Sequence, residues 1–181
     1  SNGGYPLLVA ETGQTFARWQ DVSICRRGDR STPGEAPAFR LLRDGYYVNL
    51  FPTDGDDGAR IQWRFTERSA TLAGLQDDLK YRCDFAVSAK DTGELRALSL
   101  SAAGGLPDGE LHFTLEPVLA PYLDYGNHPA FYRMGFQTKT RGGALLLRRL
   151  ARASTPEVWL CLACDRALRF PDSVPGWLSD A

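Results

Sequence analysis

The chain has 181 residues, 43% of them hydrophobic and 11% aromatic, with a formal net charge of -1. That length suits one domain able to bury roughly 70% of its unfolded surface. A charge so near zero gives no electrostatic case for nucleic acid or an anionic membrane surface. The longest apolar run, Val158 to Cys164, falls far short of the roughly 18 residues of a membrane span.

Leu7 to Ala10 and Phe16 to Trp19 are strand candidates around the turn Glu11-Thr12-Gly13-Gln14, and Ile24-Cys25 starts a third. Phe39 to Leu42 and Tyr46 to Phe51 flank Arg43-Asp44-Gly45, an Asp-Gly hairpin signal. Asp54-Gly55-Asp56-Asp57-Gly58 invites a calcium reading, but an EF-hand fails there. Its fifth position is Gly58 and its twelfth is Phe65 where a bidentate Glu is needed. Ile61, Trp63 and Phe65 alternate with Arg60, Gln62 and Arg64, and Tyr81, Cys83, Phe85 and Val87 alternate with Arg82, Asp84 and Ser88. Thr71 to Leu75 is a weaker candidate. Between Leu95 and Leu100 the apolar phase slips by one, which predicts a bulge or burial on both faces.

From Glu110 to Glu116 alternation is strict: Glu110, His112, Thr114 and Glu116 point one way, Leu111, Phe113 and Leu115 the other. Period two predicts a strand buried on one face, and at Pro117 regular pairing should stop or bulge. A loop with Pro121, Asp124, Gly126, Asn127 and Pro129 follows, then a strand from Phe131 to Lys139, the turn Arg141-Gly142-Gly143 and a strand from Ala144. Arg148-Arg149-Leu150-Ala151-Arg152 reads as a solvated turn, and Glu157 to Cys164 as a last strand. No helical periodicity exceeds two turns. The fold class is therefore all-β and antiparallel, a large sandwich in one domain over residues 1–181.

Four cysteines, Cys25, Cys83, Cys161 and Cys164, lack the second Cys-x-x-Cys or nearby histidine pair of a zinc site, so reduced and mostly buried thiols are expected. No metal and no cofactor are expected. The opening residues lack the basic and apolar regions of a secretory leader, so any targeting segment is expected outside this chain. His112 and Glu116, four apart on one strand face, would lie about 13 Å apart, too far for direct general acid–base cooperation unless His128 folds in. Sugar stacking is the other chemistry available, through Tyr46, Tyr47, Trp63, Tyr122, Tyr125, Tyr132, Trp159 and Trp177, against the plainer reading of these aromatics as sandwich filler.

Several segments resemble one family. Glu116-Pro117-Val118-Leu119-Ala120, His128-Pro129-Ala130-Phe131 and Phe136-Gln137-Thr138 are similar in order and spacing to the amino-terminal domain of the cellobiose and chitobiose phosphorylases and cyclic β-1,2-glucan synthases, glycoside hydrolase family ninety-four. So are Asn2-Gly3-Gly4-Tyr5, Arg18-Trp19-Gln20-Asp21, Leu42-Arg43-Asp44, Glu94-Leu95-Arg96 and Asp165-Arg166. The chain departs from the pattern at Ser31 to Pro37 and after Arg166.

The resemblance implies a β-supersandwich of the galactose-mutarotase-like type, possibly truncated and a piece of a larger enzyme. It also implies a following catalytic (α/α)-barrel whose Asp is the general acid, so no residue of this chain inherits a catalytic role. The expected function is a non-catalytic carbohydrate-associated module that supports the barrel or a homodimer. The alternative is an independent carbohydrate-binding sandwich. Expected partners are the barrel, a β-linked glucan or disaccharide and a second copy, with no nucleic acid and no membrane contact by this segment. The setting would be bacterial cytoplasm, or a membrane protein joined through other parts. Candidate carbohydrate or interface residues are Arg18, Trp19, Asp21, Tyr122, Tyr125 and His128.

Overall fold

In the computed structural model the residues described are 3–10, 14–26, 37–51, 60–106, 108–125, 134–151 and 155–166. Asp54 to Gly58, His128, Tyr132 and Trp177 lie outside them. The described chain is all-β: fourteen strands and a single four-residue helix, with antiparallel pairing at each register described. It falls into two compact units, Ser1–Gln20 with Cys25–Glu116, and Asp21–Ile24 with Pro117–Ala181.

The first unit opens with a hairpin of β1 (Leu7–Val9) and β2 (Thr15–Trp19), where Leu8 lies opposite Phe16. Ahead of β1 the pairing continues through irregular backbone. The Arg18 amide donates to the Pro6 carbonyl at 3.1 Å and the Gln20 amide to Gly4 at 3.2 Å. The segments around Gly4-Tyr5 and Arg18-Trp19 are thus clipped together by main chain. After β3 (Val22–Cys25) come β4 (Ala38–Arg43) and β5 (Tyr46–Asn49). Asp44 at φ 51° and Gly45 at φ 83° supply the two positive φ values that a tight two-residue hairpin needs.

Four strands follow as a meander: β6 (Arg60–Phe65), β7 (Ser69–Gln76), β8 (Leu79–Val87) and β9 (Glu94–Ala102). Strand β10 (Gly109–Thr114) returns to pair with β4, so β10 and β5 flank β4 in a three-stranded sheet. The core of this unit gathers Leu41, Leu50 and Phe51 with Leu72, Leu79, Tyr81, Cys83 and Phe85, with Phe39 and Val48 against its margin. Period two puts Leu79, Tyr81, Cys83 and Phe85 on the inward face of β8. Gly74 lies opposite Tyr81 across the β7–β8 ladder, and a Cβ there would sit 2.0 Å from the ring, so the ring fills the space a side chain would take.

Two sequence expectations are corrected here. Strand β9 pairs with β8 without interruption from Glu94–Val87 to Ala102–Leu79, so the phase slip is neither a bulge nor two-sided burial. Leu98 and Leu100 face the core, and Leu95 stands on the outer face, 65% exposed. In β10 the alternation holds, yet Leu111 and Phe113 remain largely exposed. The strand is an edge of its sheet, so its inward face is covered from one side only. Phe113 still packs on Phe39, ring centroids 4.9 Å apart, and receives the Arg96 guanidinium 5.4 Å from its centroid.

The second unit holds β11 (Pro117–Pro121) next to β3, the helix α1 (Tyr122–Tyr125), and a sheet of β12 (Phe136–Arg141), β13 (Ala144–Arg149) and β14 (Val158–Leu162). Pairing stops before Pro117, as a residue without an amide proton dictates, but Pro117 itself opens a buried strand. Gly142 and Gly143, at φ 58° and 78°, turn the β12–β13 hairpin. The Arg148–Arg149 pair is not a solvated turn. It lies in β13, where the alternation Leu145, Leu147, Arg149 carries Arg149 onto the buried face, 1% exposed. Two of the thiols are also corrected: Cys25 and Cys83 are buried, whereas Cys161 and Cys164 are exposed. Among the described residues no helix is long and apolar enough to cross a membrane.

Candidate functional site

The six residues singled out from sequence do not converge on one cleft. Arg18 and Trp19 end β2 in the first unit, both half-buried. Asp21 belongs to the second unit, in the turn before β3, with its side chain exposed. There its carbonyl accepts the Tyr122 amide at 2.7 Å, so these two candidates meet through backbone. Tyr122 and Tyr125 form the ends of α1. Tyr122 is 39% exposed and Leu123 81% exposed, while Tyr125 is half-buried and packs on Val118 and Ala120. His128 falls outside the described residues.

The strand before this helix is the more constrained element. Val118, Leu119 and Ala120 are fully buried, and Leu119 has φ 46°, a left-handed conformation that costs a branched residue about 1–2 kcal/mol. The Leu119 carbonyl accepts a hydrogen bond from Arg149 Nη1 at 3.0 Å. A buried guanidinium therefore meets a strained backbone at the root of α1. Sequence reading missed Arg149, although the period-two pattern of β13 already pointed it inward.

The outward face of β12–β13–β14 carries a second constellation that composition alone did not show. Cross-strand pairing aligns Gln137, Arg148 and Trp159 in one row, and Lys139, Leu146 and Cys161 in the next. Glu157 Oε1 accepts from Trp159 Nε1 at 2.7 Å, and its Oε2 accepts from Arg148 Nη2 at 2.5 Å. Arg148 also donates to Gln137 Oε1 at 3.5 Å and lays its guanidinium 5.3 Å from the Trp159 ring centroid. The Arg148 and Trp159 donors pull the Glu157 carboxyl below the usual range.

In the first unit, His112 Nε2 lies 3.1 Å from Glu110 Oε2 and meets the exposed Tyr47 ring edge-on, centroids 5.3 Å apart. Glu116 lies past the end of β10 and pairs instead with Arg26 at 3.6 Å. The structure therefore does not assemble His112 and Glu116 as an acid–base pair. Glu94 is held by the Arg96 guanidinium and receives the Tyr5 hydroxyl at 3.2 Å, and Arg96 reaches Thr15 Oγ1 at 2.9 Å. Burial, with Glu94 beside it, drives the Tyr5 hydroxyl pKa upward. Asp78 is held down by Arg43, and Asp84 by Arg82 and Thr71. Among the described residues no three His, Cys, Asp or Glu side chains converge as metal ligands.

Over residues 1–175 the chain matches the family model described as glycosyl hydrolase 94, supersandwich domain. It belongs to that family. The match accords with the all-β antiparallel architecture and with the resemblance drawn from the Glu116–Ala120 and Arg18–Asp21 segments. The chain is also 26% identical over 145 residues to the cyclic beta-(1,2)-glucan synthase NdvB of Rhizobium meliloti (strain 1021). That alignment takes in 77% of this chain and 5% of the relative, so the chain spans a small part of the relative's length.

Proposed function

We propose that this chain is a non-catalytic, carbohydrate-associated module of a cyclic β-1,2-glucan synthase-like or glycoside phosphorylase-like protein. In this reading it sits beside a catalytic (α/α)-barrel that acts on β-linked glucosides. One observation carries the reading: a supersandwich-domain match over residues 1–175, beside a glucan synthase of which the aligned part is 5%. Four of the described carboxylates accord with it. A general acid for glycosidic cleavage must keep its proton near neutral pH, which calls for a raised pKa. Asp78, Asp84 and Glu157 are instead each held below the ordinary range by a cation and hydrogen bonds, and Glu94 is committed to Arg96 and Tyr5.

The surface offered to the barrel, or to a second copy, is α1, whose Leu123 and Tyr122 stand out on a root fixed by β11 and Arg149. Exposed apolar side chains on a well-anchored short element are what a docking contact requires. The test has two arms. Incubated with cellobiose, chitobiose or a β-1,2-glucan and phosphate, the purified chain should release no sugar phosphate. Release at a rate proportional to its concentration would refute the non-catalytic reading. In the protein that joins chain and barrel, Tyr122→Ala with Leu123→Asp should lower activity per folded molecule. In the chain alone the same pair should leave the melting temperature within about 2 °C, as exposed substitutions do.

A further inference from the structure

We infer that the outward face of β12–β13–β14 is a binding site for a β-linked neutral oligosaccharide, with the Trp159 indole as its stacking platform and Gln137, Lys139, Arg148 and Glu157 as its hydroxyl-binding rim. Trp159 is 54% exposed yet held at two points, its Nε1–H by Glu157 and one face of its ring by the Arg148 guanidinium, which leaves the other face for a ligand. A ring fixed before binding loses little freedom when a ligand stacks on it, which favours affinity at small contact area. The Trp159–Glu157–Arg148–Gln137 chain of contacts serves that purpose on a sheet face where it buries no core.

The chemistry of the face selects the occupant. A pyranose presents a flat C–H surface edged by hydroxyls, and it is matched by one aromatic ring among separate donors and acceptors. Arg148 and Lys139 donate, Glu157 accepts, and Gln137 does both.

Spacing adds a length. The Trp159 row and the Cys161 row lie two residues apart along β14, about 6.8 Å, on the order of one sugar ring. A β-linked disaccharide running along the strand sets one ring on Trp159 and the next over Leu146 and Cys161, within reach of Lys139. The choice of glucose units as the sugar rests on the function proposed above; the location of the site does not.

The experiment titrates the full 181-residue chain with short β-1,2- and β-1,4-linked gluco-oligosaccharides, followed by amide NMR shifts. A Cys164→Ser background adds the rate at which a chromogenic disulfide labels Cys161. Saturable shifts in β12–β14 and slowed Cys161 labelling are expected. Trp159→Ala should weaken binding about tenfold or more and Trp159→Phe less, with Tyr47→Ala unchanged. If Trp159→Ala lowers the folded fraction, Trp159→Phe and Gln137→Ala decide by the same readout. No saturable binding by the folded chain, or binding that Trp159→Ala leaves intact, overturns the site. Either result would leave the non-catalytic reading to its own sugar phosphate assay.

Discussion

Replacing Arg149 by Met tests whether the buried guanidinium supports the second unit or burdens it. Two effects compete. Removing a buried charge relieves its desolvation, and replacement of a whole buried ion pair by apolar groups is often neutral or stabilising by about 1–4 kcal/mol. Here only one partner is removed. The Leu119 carbonyl, on a fully buried residue, loses the donor that reaches it at 3.0 Å, and an unsatisfied buried acceptor costs about 1–3 kcal/mol. Leu119 also keeps its left-handed φ of 46° without the bond that holds it there. Methionine fills most of the arginine stem's volume, so the cavity contribution is small. The balance is a loss of about 2 kcal/mol, or roughly 4–8 °C in melting temperature for a chain of this size. Urea unfolding monitored by circular dichroism gives the global value, and hydrogen exchange should quicken at Val118 to Ala120. Arg149→Lys, with a shorter reach and a compact head, should fall between wild type and Met. A Met variant as stable as wild type, with β11 amides equally protected, would refute the reasoning and mark the guanidinium as dispensable.

Gly74→Ala should destabilise the first unit by about 1–3 kcal/mol in the same urea assay, because the new methyl meets the buried Tyr81 ring. Under native conditions a thiol reagent should label Cys161 and Cys164 promptly and reach Cys25 and Cys83 only on unfolding, which stopped-flow absorbance reads directly. Burial raises Cys25 to about 11 and Cys83 to about 12, from an ordinary 9.0. Because the folded pKa values lie above the unfolded ones, the stabilisation is complete below pH 9 and lost as pH rises toward 11–12. Melts across that range should show it, and Cys83→Ala should flatten the slope. On the acid side, Asp78, Asp84 and Glu157 are depressed, so their contribution is present above the ordinary carboxylate values of 3.8 and 4.5 and disappears below them. Asp78 and Glu157 are exposed and Asp84 is partly so, and acid melts should show only a shallow decline there.

Where a strand is long and half-buried, the sequence pattern located it: β8 alternates as read, and Asp44-Gly45 turns where its chemistry requires. Two misreadings share a cause. Leu95 looked like a core residue because hydropathy carries no information on which sheet face is covered, and Leu111 and Phe113 looked buried because nothing in the pattern marks an edge strand. Arg149 was misread for the opposite reason: charge outweighed its phase in the Leu145–Leu147–Arg149 alternation. The candidate site was less legible than the fold. Asp21 and Tyr122 do meet, yet through a carbonyl and an amide that any side chains could have carried. The Trp159 constellation needed the β12–β13–β14 register, which joins residues about twenty positions apart and cannot be read from either strand alone.

The segments that carry the family resemblance sort, in the structure, into backbone-fixing roles more than ligand-facing ones. Gly4 accepts the Gln20 amide, Glu116 accepts the Arg26 amide through its carbonyl, and Leu119 offers its carbonyl to Arg149. Each joins a sequence-distant piece of chain inside one unit. Such contacts fix the path of the backbone, whose buried polar groups must find partners. A surface that recognises a ligand answers to different constraints. It must keep apolar area exposed, which folding alone works against, and it must hold that area still. In the second unit α1 and Trp159 meet both conditions. The first is anchored through β11 and Asp21, the second through Glu157 and Arg148. Fixed exposure of this kind is what the proposed α1 contact and the proposed Trp159 site have in common.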